Sequence, residues 1–276
     1  MSPPHGKSSG RVIDGVSLAP KAVTPLYLDE YAPLESPSAE RLRRKQKLAG
    51  ALRIFGRFGF SEGVAGHITV RDPEFPDLFW VNPLGLSFRH ATVSDLILVD
   101  HAGNVVFGEH SVNRAAYVLH SAIHEARPDV IAAAHAHSVF GKALSSLGVP
   151  LEPLTQDACA FYERNVVIQD HGGAVVFEKE AGEDFARAFG ANRAALHQNH
   201  GHFTVGSTID EAAFWFVCFE RCAQAQLLAM AAGTPLHIPH ESAVYTREQA
   251  GNELTGWMHF QPMWQEIQRS DPGLFD

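Results

Sequence analysis

The run VIAAAHAH, residues 130–137, limits the possible folds more than any other segment of the chain. It is apolar apart from two histidines, it follows Pro128, and it has the brevity of a buried strand. Side chains two residues apart leave the same face of a strand. His135 and His137 can therefore reach one metal ion at nitrogen–metal distances of about 2.0 to 2.1 Å.

This spacing alone does not show that His135 and His137 bind a metal ion, because the chain contains 16 histidines. Random placement gives roughly one His-x-His, and a second one is present at His200 and His202. Histidines hydrogen-bonded within the core are the alternative interpretation. His200, beside Gly201, is a candidate third ligand, with His197 and His202 as competitors. Three protein ligands with open positions are typical of a catalytic metal site.

Helix and strand patterns alternate along the chain. A helix is predicted from Ser36, a capping residue before proline, to about Gly59. Between Gly66 and Gly108 the segments HITVRD, LFWVNP, DLILVD and NVVFG predict a β-meander. We therefore expect one mixed sheet in an α/β protein, with α+β as the alternative.

The remaining patterns predict a single domain over residues 35–276, with a C-terminal extension from about 234. A long apolar helix should begin at Thr208, which has capping-box spacing to Glu211, and end at Gly233. Residues 1–34, rich in Pro, Gly and Ser, predict a mobile tail. Further helices are predicted near 113–126, 139–147 and 180–189, and strands at 174–177 (AVVF), AALHQNH and HFTVG.

Composition excludes several classes of partner. The formal net charge of -9 argues against nucleic acid, because phosphate binding needs Lys and Arg concentrated on one face. The basic run 41–47 (RLRRKQK) is interpreted as a solvated or intersubunit helix face. No apolar stretch reaches the roughly 20 residues of a membrane span, so no membrane partner and a cytoplasmic location are expected.

Several motifs occur together in the order of a known family. They are GHITVRD (66–72), NPLGLSF (82–88), ARPDVIAAAHAHS (126–138) and QNHGHFTVG (198–206). Over roughly residues 38–233 the chain resembles the class II aldolase/adducin superfamily. The resemblance implies a mixed, largely antiparallel sheet flanked by helices on both sides, a small-molecule substrate and a homotetramer.

The resemblance also implies site residues. One divalent ion, Fe, Zn or Mn, is expected on three histidines: His135, His137 and His200. Gly66, Thr69 and Arg71 match the family's G-N-x-S-x-R signature, with His67 where asparagine is usual. His67, Thr69 and Arg71 are accordingly expected to bind substrate.

One departure from the family bears on the reaction. Arg114, Ala115 and Ala116 stand where aldolases of the family carry Ser-Ser-Glu, whose serines contact a substrate phosphate and whose glutamate handles protons. Alanine cannot move a proton, and a positioned general base contributes about 10²- to 10⁴-fold. Cleavage of a sugar phosphate is therefore not expected.

The leading hypothesis is a metal-dependent enzyme that breaks a carbon–carbon bond next to a carbonyl or carboxylate, as a decarboxylase or retro-aldol lyase. Its substrate would be non-phosphorylated and possibly aromatic, with Gln156 among the binding residues. The resemblance leaves two alternatives: a non-haem Fe(II) oxygenase acting on an aromatic 2-hydroxy or 2-keto acid, and a non-catalytic adducin-like interaction module. Proton delivery is assigned to candidates from four positions: His120, His124, Tyr162 and His202.

Overall fold

The computed structural model describes residues 12–13, 16–17 and 26–276. Contacts divide the chain into two units, Met1–Ala32 and Pro33–Asp276. In the first unit, β1 (Val12–Ile13) pairs antiparallel with β2 (Val16–Ser17). The mobile tail predicted over residues 1–34 lies largely outside the described residues.

The second unit is built on one sheet, which has eight strands among the described residues. They are β3 (His67–Arg71), β4 (Leu78–Val81), β5 (Ile97–Asp100), β6 (Val105–Phe107), β7 (Ala132–Ala136), β8 (Asn165–Ile168), β9 (Ala194–His197) and β10 (Gly201–Gly206). Their order is β6-β5-β4-β3-β7-β10-β9-β8. Every neighbouring pair is antiparallel except β8 and β9. The predicted mixed, largely antiparallel sheet is confirmed.

The first five helices of this unit begin and end close to the predicted positions, and two helices that were not predicted follow them. They are α1 (Pro37–Arg57), α2 (Arg114–Ala126), α3 (Val139–Leu147), α4 (Lys179–Phe189), α5 (Ile209–Ala232), α6 (His240–Ala250) and α7 (Glu253–Ser270). At the start of α1 the Ser36 hydroxyl accepts from the Ala39 N–H, and at the start of α5 the Thr208 hydroxyl accepts from the Glu211 N–H at 3.1 Å. Both capping predictions are confirmed.

Helices cover both faces of the sheet, as predicted. Strand alternation sends the β3 side chains His67, Thr69 and Arg71 to one face, where α2 and α4 complete an apolar core. Ile68 and Val70 point to the other face, which packs against α1 and α5. On this face α7 also lies against α5 and α1.

The prediction of a strand at 174–177 was wrong. Val175 and Phe177 are 70% and 64% exposed, so the apolar pattern of AVVF does not mark a buried strand. The edge of the sheet is formed instead by β8, which lies earlier in the chain and pairs in parallel with β9. That pairing joins residues about 30 positions apart and leaves no local signal in the sequence.

The basic run of α1 forms ion pairs within its own unit. Arg41 pairs with Asp72 at 2.6 Å, and Lys47 reaches Asp210 of α5 at 2.7 Å in a buried contact. These cations are therefore occupied by carboxylates of the same chain. No α-helix in the described part of the chain is both long and apolar enough to span a bilayer.

Candidate metal centre

Three histidine side chains converge at the end of the central strand β7. His135 is the fourth residue of β7, His137 follows the strand by one residue, and His200 lies in the turn between β9 and β10. One ring nitrogen from each lies within 4.8 Å of the other two. His137 Nε2 and His200 Nε2 are 3.0 Å apart. The structure thus brings together the three ligands expected from the sequence.

The turn that carries His200 depends on its neighbours. Asn199 has φ of 57° and Gly201 has φ of 152°, both in the left-handed half of conformational space. Asparagine tolerates this region better than most residues, and glycine enters it without strain. The Asn-His-Gly sequence therefore reverses the chain tightly between β9 and β10 and directs the imidazole at β7.

A backbone carbonyl sets the tautomer of His135. Its Nδ1 lies 2.9 Å from the carbonyl oxygen of His202, which can only accept, so Nδ1 carries the hydrogen. The lone pair is left on Nε2, a buried atom with no hydrogen-bond partner among the described residues. A buried acceptor without a partner costs free energy, and a bound cation would offset that cost.

Burial keeps the three imidazoles neutral. It holds the pKa of His135 well below the usual 6.5, lowers that of His200 to about 3, and lowers that of His137, with the nearby Lys142 ammonium adding to the last shift. Neutral imidazole is the form that binds metal. Lone pairs on the Nε2 atoms of His137 and His200, which are 3.0 Å apart, repel each other unless a proton or a cation lies between them. The donor set therefore fits one divalent ion.

A cavity of about 310 Å³ opens beside the triad. Apolar groups from the loop before β3, from α2, from the segment after β8 and from β10 form much of its wall: Val64, Ala115, Leu119, Val175, Val176 and Phe203. Its polar lining includes the triad, His67, Asn113, Asn199 and Lys142. An apolar wall with a few convergent polar groups is the lining typical of a small-molecule site.

Of the three predicted signature residues on β3, only His67 lines this cavity. It pairs with His135 across the strands, and their ring centroids are 6.0 Å apart. Thr69 and Arg71 lie deeper on the same face. The Thr69 hydroxyl bonds to His124, and the Arg71 guanidinium donates to backbone carbonyls, including that of His124 at 2.8 Å. They hold the end of α2 in place rather than facing the cavity.

The predicted proton donors on α2 and β10 are also outside the cavity lining. His120 is fully buried behind His67, with ring centroids 3.9 Å apart, and bonds to Thr69 at 2.9 Å. His202 projects from the opposite face of the sheet, because its neighbour Phe203 is the residue that pairs with His135. Its ring stacks on Phe216 of α5 at 3.9 Å.

Gln156 and Tyr162 belong to a different region of the unit. Gln156 lines a separate cavity of about 490 Å³ against α5, together with Trp215 and Arg221. The Tyr162 hydroxyl lies 3.0 Å from Nδ1 of His240 at the start of α6. Within the described chain, neither residue lines the cavity that contains the triad.

Two contacts next to the triad were not predicted from the sequence. Lys142 of α3 lines the cavity and pairs with Glu62 at 2.7 Å. The buried carboxylate of Glu220 on α5 accepts from the Ser138 hydroxyl at 2.6 Å and from the Gly141 N–H at 2.7 Å, at the N-terminus of α3. A glutamate directly after the apolar run 212–219 of α5 was the available signal for the second contact.

Comparison with known proteins identifies the family. The sequence model described as "Class II Aldolase and Adducin N-terminal domain" matches residues 46–227. The chain belongs to this family. The family match ends before α6 and α7, which the chain carries in addition.

Similar proteins include two from Streptomyces. "Decarboxylase NovR" of Streptomyces niveus is 44% identical, over 91% of each chain. "4-Hydroxy-3-prenylphenylpyruvate oxygenase/4-hydroxy-3-prenylbenzoate synthase" of Streptomyces roseochromogenus subsp. oscitans is 43% identical, over 92% of this chain and 94% of that one. These similarities support the prediction that this chain is an enzyme.

A solved structure with the same fold is that of "L-fuculose 1-phosphate aldolase from Glaciozyma antarctica PI12". It superposes with a TM-score of 0.82 and 44% sequence identity, covering 88% of this chain and 96% of that one. The predicted family and fold are confirmed.

Proposed function

We propose that this protein is a divalent-metal-dependent enzyme that breaks a carbon–carbon bond next to a carbonyl or carboxylate of a non-phosphorylated, aromatic acid. The observation that carries the proposal is the convergence of three neutral imidazoles beside an apolar cavity. A bound ion would polarise the carbonyl or carboxylate and stabilise the negative charge left on the substrate. The homotetramer and cytoplasmic location expected from the sequence stay predictions.

The residues of the cavity fit such a substrate. Leu119 and Phe203 provide apolar surface for a ring, and the methyl group of Ala115 offers no hydrogen bond to a phosphate. Lys142 supplies a cation beside His137, where it can receive a carboxylate. Its present partner, Glu62, is partly exposed, so exchange for a substrate carboxylate costs little.

The missing glutamate favours decarboxylation over aldol cleavage. Loss of carbon dioxide from a 3-keto acid needs no base to begin, because the carboxylate is already ionised and the electron pair of the broken bond moves into the neighbouring carbonyl as an enolate. A retro-aldol cleavage must first remove a hydroxyl proton. Ala115 and Ala116 cannot supply the base that starts a retro-aldol reaction. The relative named a decarboxylase supports this reading.

A second candidate is an oxygenase that performs oxidative decarboxylation of an aromatic 2-hydroxy or 2-keto acid. The relative named an oxygenase favours it, as does a triad made only of imidazoles, which suit iron as well as zinc or manganese. An interaction module without catalysis has no need of three converging metal ligands. We therefore rank it below both enzymes.

The test is a metal analysis followed by assays with and without dioxygen. Protein prepared anaerobically is loaded with Fe(II), Zn(II) or Mn(II) and offered a phenylpyruvate, a benzoylacetate and a sugar phosphate. Carbon dioxide release without oxygen supports the lyase, whereas oxygen uptake coupled to turnover supports the oxygenase. Turnover of the sugar phosphate alone would refute the proposed substrate class.

The ligand assignment is tested in the same preparations. His135→Ala should lose the bound ion, because His135 supplies one of three ligands from the centre of the sheet. His237→Ala, at an exposed histidine paired with Glu152, is the matched control and should retain it. Wild-type metal content in His135→Ala would contradict the assignment, and a wild type that takes up no ion would favour the interaction module.

A further inference from the structure

His197 is a buried histidine outside the triad, and its two ring nitrogens are both hydrogen-bonded. It is the last residue of β9, and its ring lies edge-on to Phe185 at 5.2 Å. Nε2 lies 3.0 Å from the carbonyl oxygen of Asp170, and Nδ1 lies 3.1 Å from Nδ1 of His200. The imidazole thus bridges a backbone carbonyl and one of the three metal-ligand candidates.

These two contacts determine the position of every ring hydrogen in the bridge. A carbonyl oxygen only accepts, so Nε2 of His197 carries a hydrogen. Uncharged groups engage both ring nitrogens in a buried setting, so the ring is neutral, and with its hydrogen on Nε2 it accepts at Nδ1. Nδ1 of His200 must then donate to it, which leaves the His200 lone pair on Nε2. That nitrogen is the one that faces His137 at 3.0 Å.

Contacts on both sides of Asp170 join its segment to the turn before β10. The Gln198 N–H donates to the Ile168 carbonyl at 2.9 Å, which joins the segment after β8 to the turn before β10. Gly172 packs so closely that a Cβ there would lie 2.9 Å from the Gln198 oxygen. The Asp170 carbonyl therefore lies between two points at which its segment meets the turn that carries His200.

We propose that His197 is a positioning residue, which holds the His200 imidazole in the tautomer and orientation that bind the metal ion. The proposal rests on the metal site of the proposed function and adds to it a residue that does not touch the ion. Outer groups of this kind keep ligands oriented, and losing one reduces metal affinity about 10- to 100-fold. The bridge through a second imidazole also raises the basicity of His200 without placing a charge in the core.

The test compares three variants that separate packing from hydrogen bonding. His197→Phe keeps a ring of similar size and loses both hydrogen bonds. His197→Asn places an amide oxygen near the position of Nδ1, where it can accept from His200. Phe185→Leu disturbs the packing around His197 and leaves the bridge intact, so it serves as the control.

Zn(II) and Co(II) affinities are measured by chelator competition, and the unfolding free energy of each metal-stripped variant is measured alongside. We expect His197→Phe to lose about 10- to 100-fold in affinity and His197→Asn to recover most of it. The Co(II) absorption spectrum should change in His197→Phe and stay as in the wild type in Phe185→Leu.

Two results would overturn the inference. One is wild-type affinity in His197→Phe, and the other is an affinity that follows unfolding free energy across all three variants, including Phe185→Leu. Both differ from failure of the metal site itself, in which the wild type would bind neither ion and would match His135→Ala.

Discussion

The Glu220 carboxylate holds the N-terminus of α3, and replacing it with glutamine should lower the free energy of unfolding by about 1 to 5 kcal/mol. Oε2 accepts from Ser138 and Gly141, while Oε1 accepts from the Phe140 N–H at 2.8 Å. Glutamine keeps one oxygen, which can serve the first two donors. Its amide nitrogen then faces the Phe140 N–H, which loses its acceptor.

The magnitude follows from two contributions. A part-buried amide left without an acceptor costs about 1 to 3 kcal/mol. Loss of the negative charge at the N-terminus of α3 removes a favourable dipole interaction of about 0.3 to 1 kcal/mol, and up to about 2 in partly buried geometries. Because α3 starts two residues after His137, the same change should loosen one side of the metal site.

The assay is guanidinium unfolding followed by tryptophan fluorescence and circular dichroism, at one protein concentration because assembly would shift the midpoint. Glu183→Gln on α4 is the control, since its side chain is about half exposed and pairs with Lys179 across solvent. The control should change the free energy by less than about 0.5 kcal/mol. The reasoning would be refuted if Glu220→Gln lost less than about 1 kcal/mol of unfolding free energy while the dependence of that free energy on guanidinium concentration stayed as in the wild type.

Two further predictions concern charge. Burial lowers the pKa of His124 from 6.5 to about 3. Between these two values the unfolded chain takes up a proton at this residue and the folded chain does not, so the free energy of unfolding decreases as the pH is lowered from 6.5 towards 3. At pH 5 this group lowers the free energy of unfolding by about 2 kcal/mol. His124→Phe keeps the stacking on Phe79, and it should reduce by that amount the difference between the unfolding free energies measured in urea at pH 8 and at pH 5. The same difference in the wild type and the variant would contradict this prediction. Lys142→Met should raise KM for an aromatic keto acid about tenfold in steady-state assays, because a charge-assisted hydrogen bond contributes about 1.5 kcal/mol or more. Glu62→Gln, which frees the lysine, should leave KM equal or lower, and an unchanged KM in Lys142→Met would remove the lysine from substrate binding.

The sequence predicted the elements around the site better than the direction of individual side chains. The meander, the capped helices and the strand β7 all carry local signals, and the structure contains them where expected. His202 was a candidate because it follows His200 by two residues, a spacing that places side chains together on a strand. His200 lies in the turn, however, and the pairing of Phe203 with His135 decides which face His202 occupies.

Pairings between distant segments explain the other differences. β8 was missed because its register with β9 is set across the sheet, and AVVF resembled a strand more closely than its exposure justifies. Thr69 and Arg71 match a family signature, yet their contacts with α2 appear only in three dimensions. His197 was considered as a competing ligand, whereas the structure places it one hydrogen bond behind His200.

The position of β7 in the sheet implies that the backbone around His135 opens less often than the turn that carries His200. β7 has hydrogen-bonded neighbours on both sides, β3 and β10, and apolar cores on both faces. Its amides should therefore be among the slowest in the unit to exchange with deuterium. His200 lies in a turn that can open without breaking the central ladder. Release of the ion should accordingly begin at His200 and proceed without unfolding of the sheet.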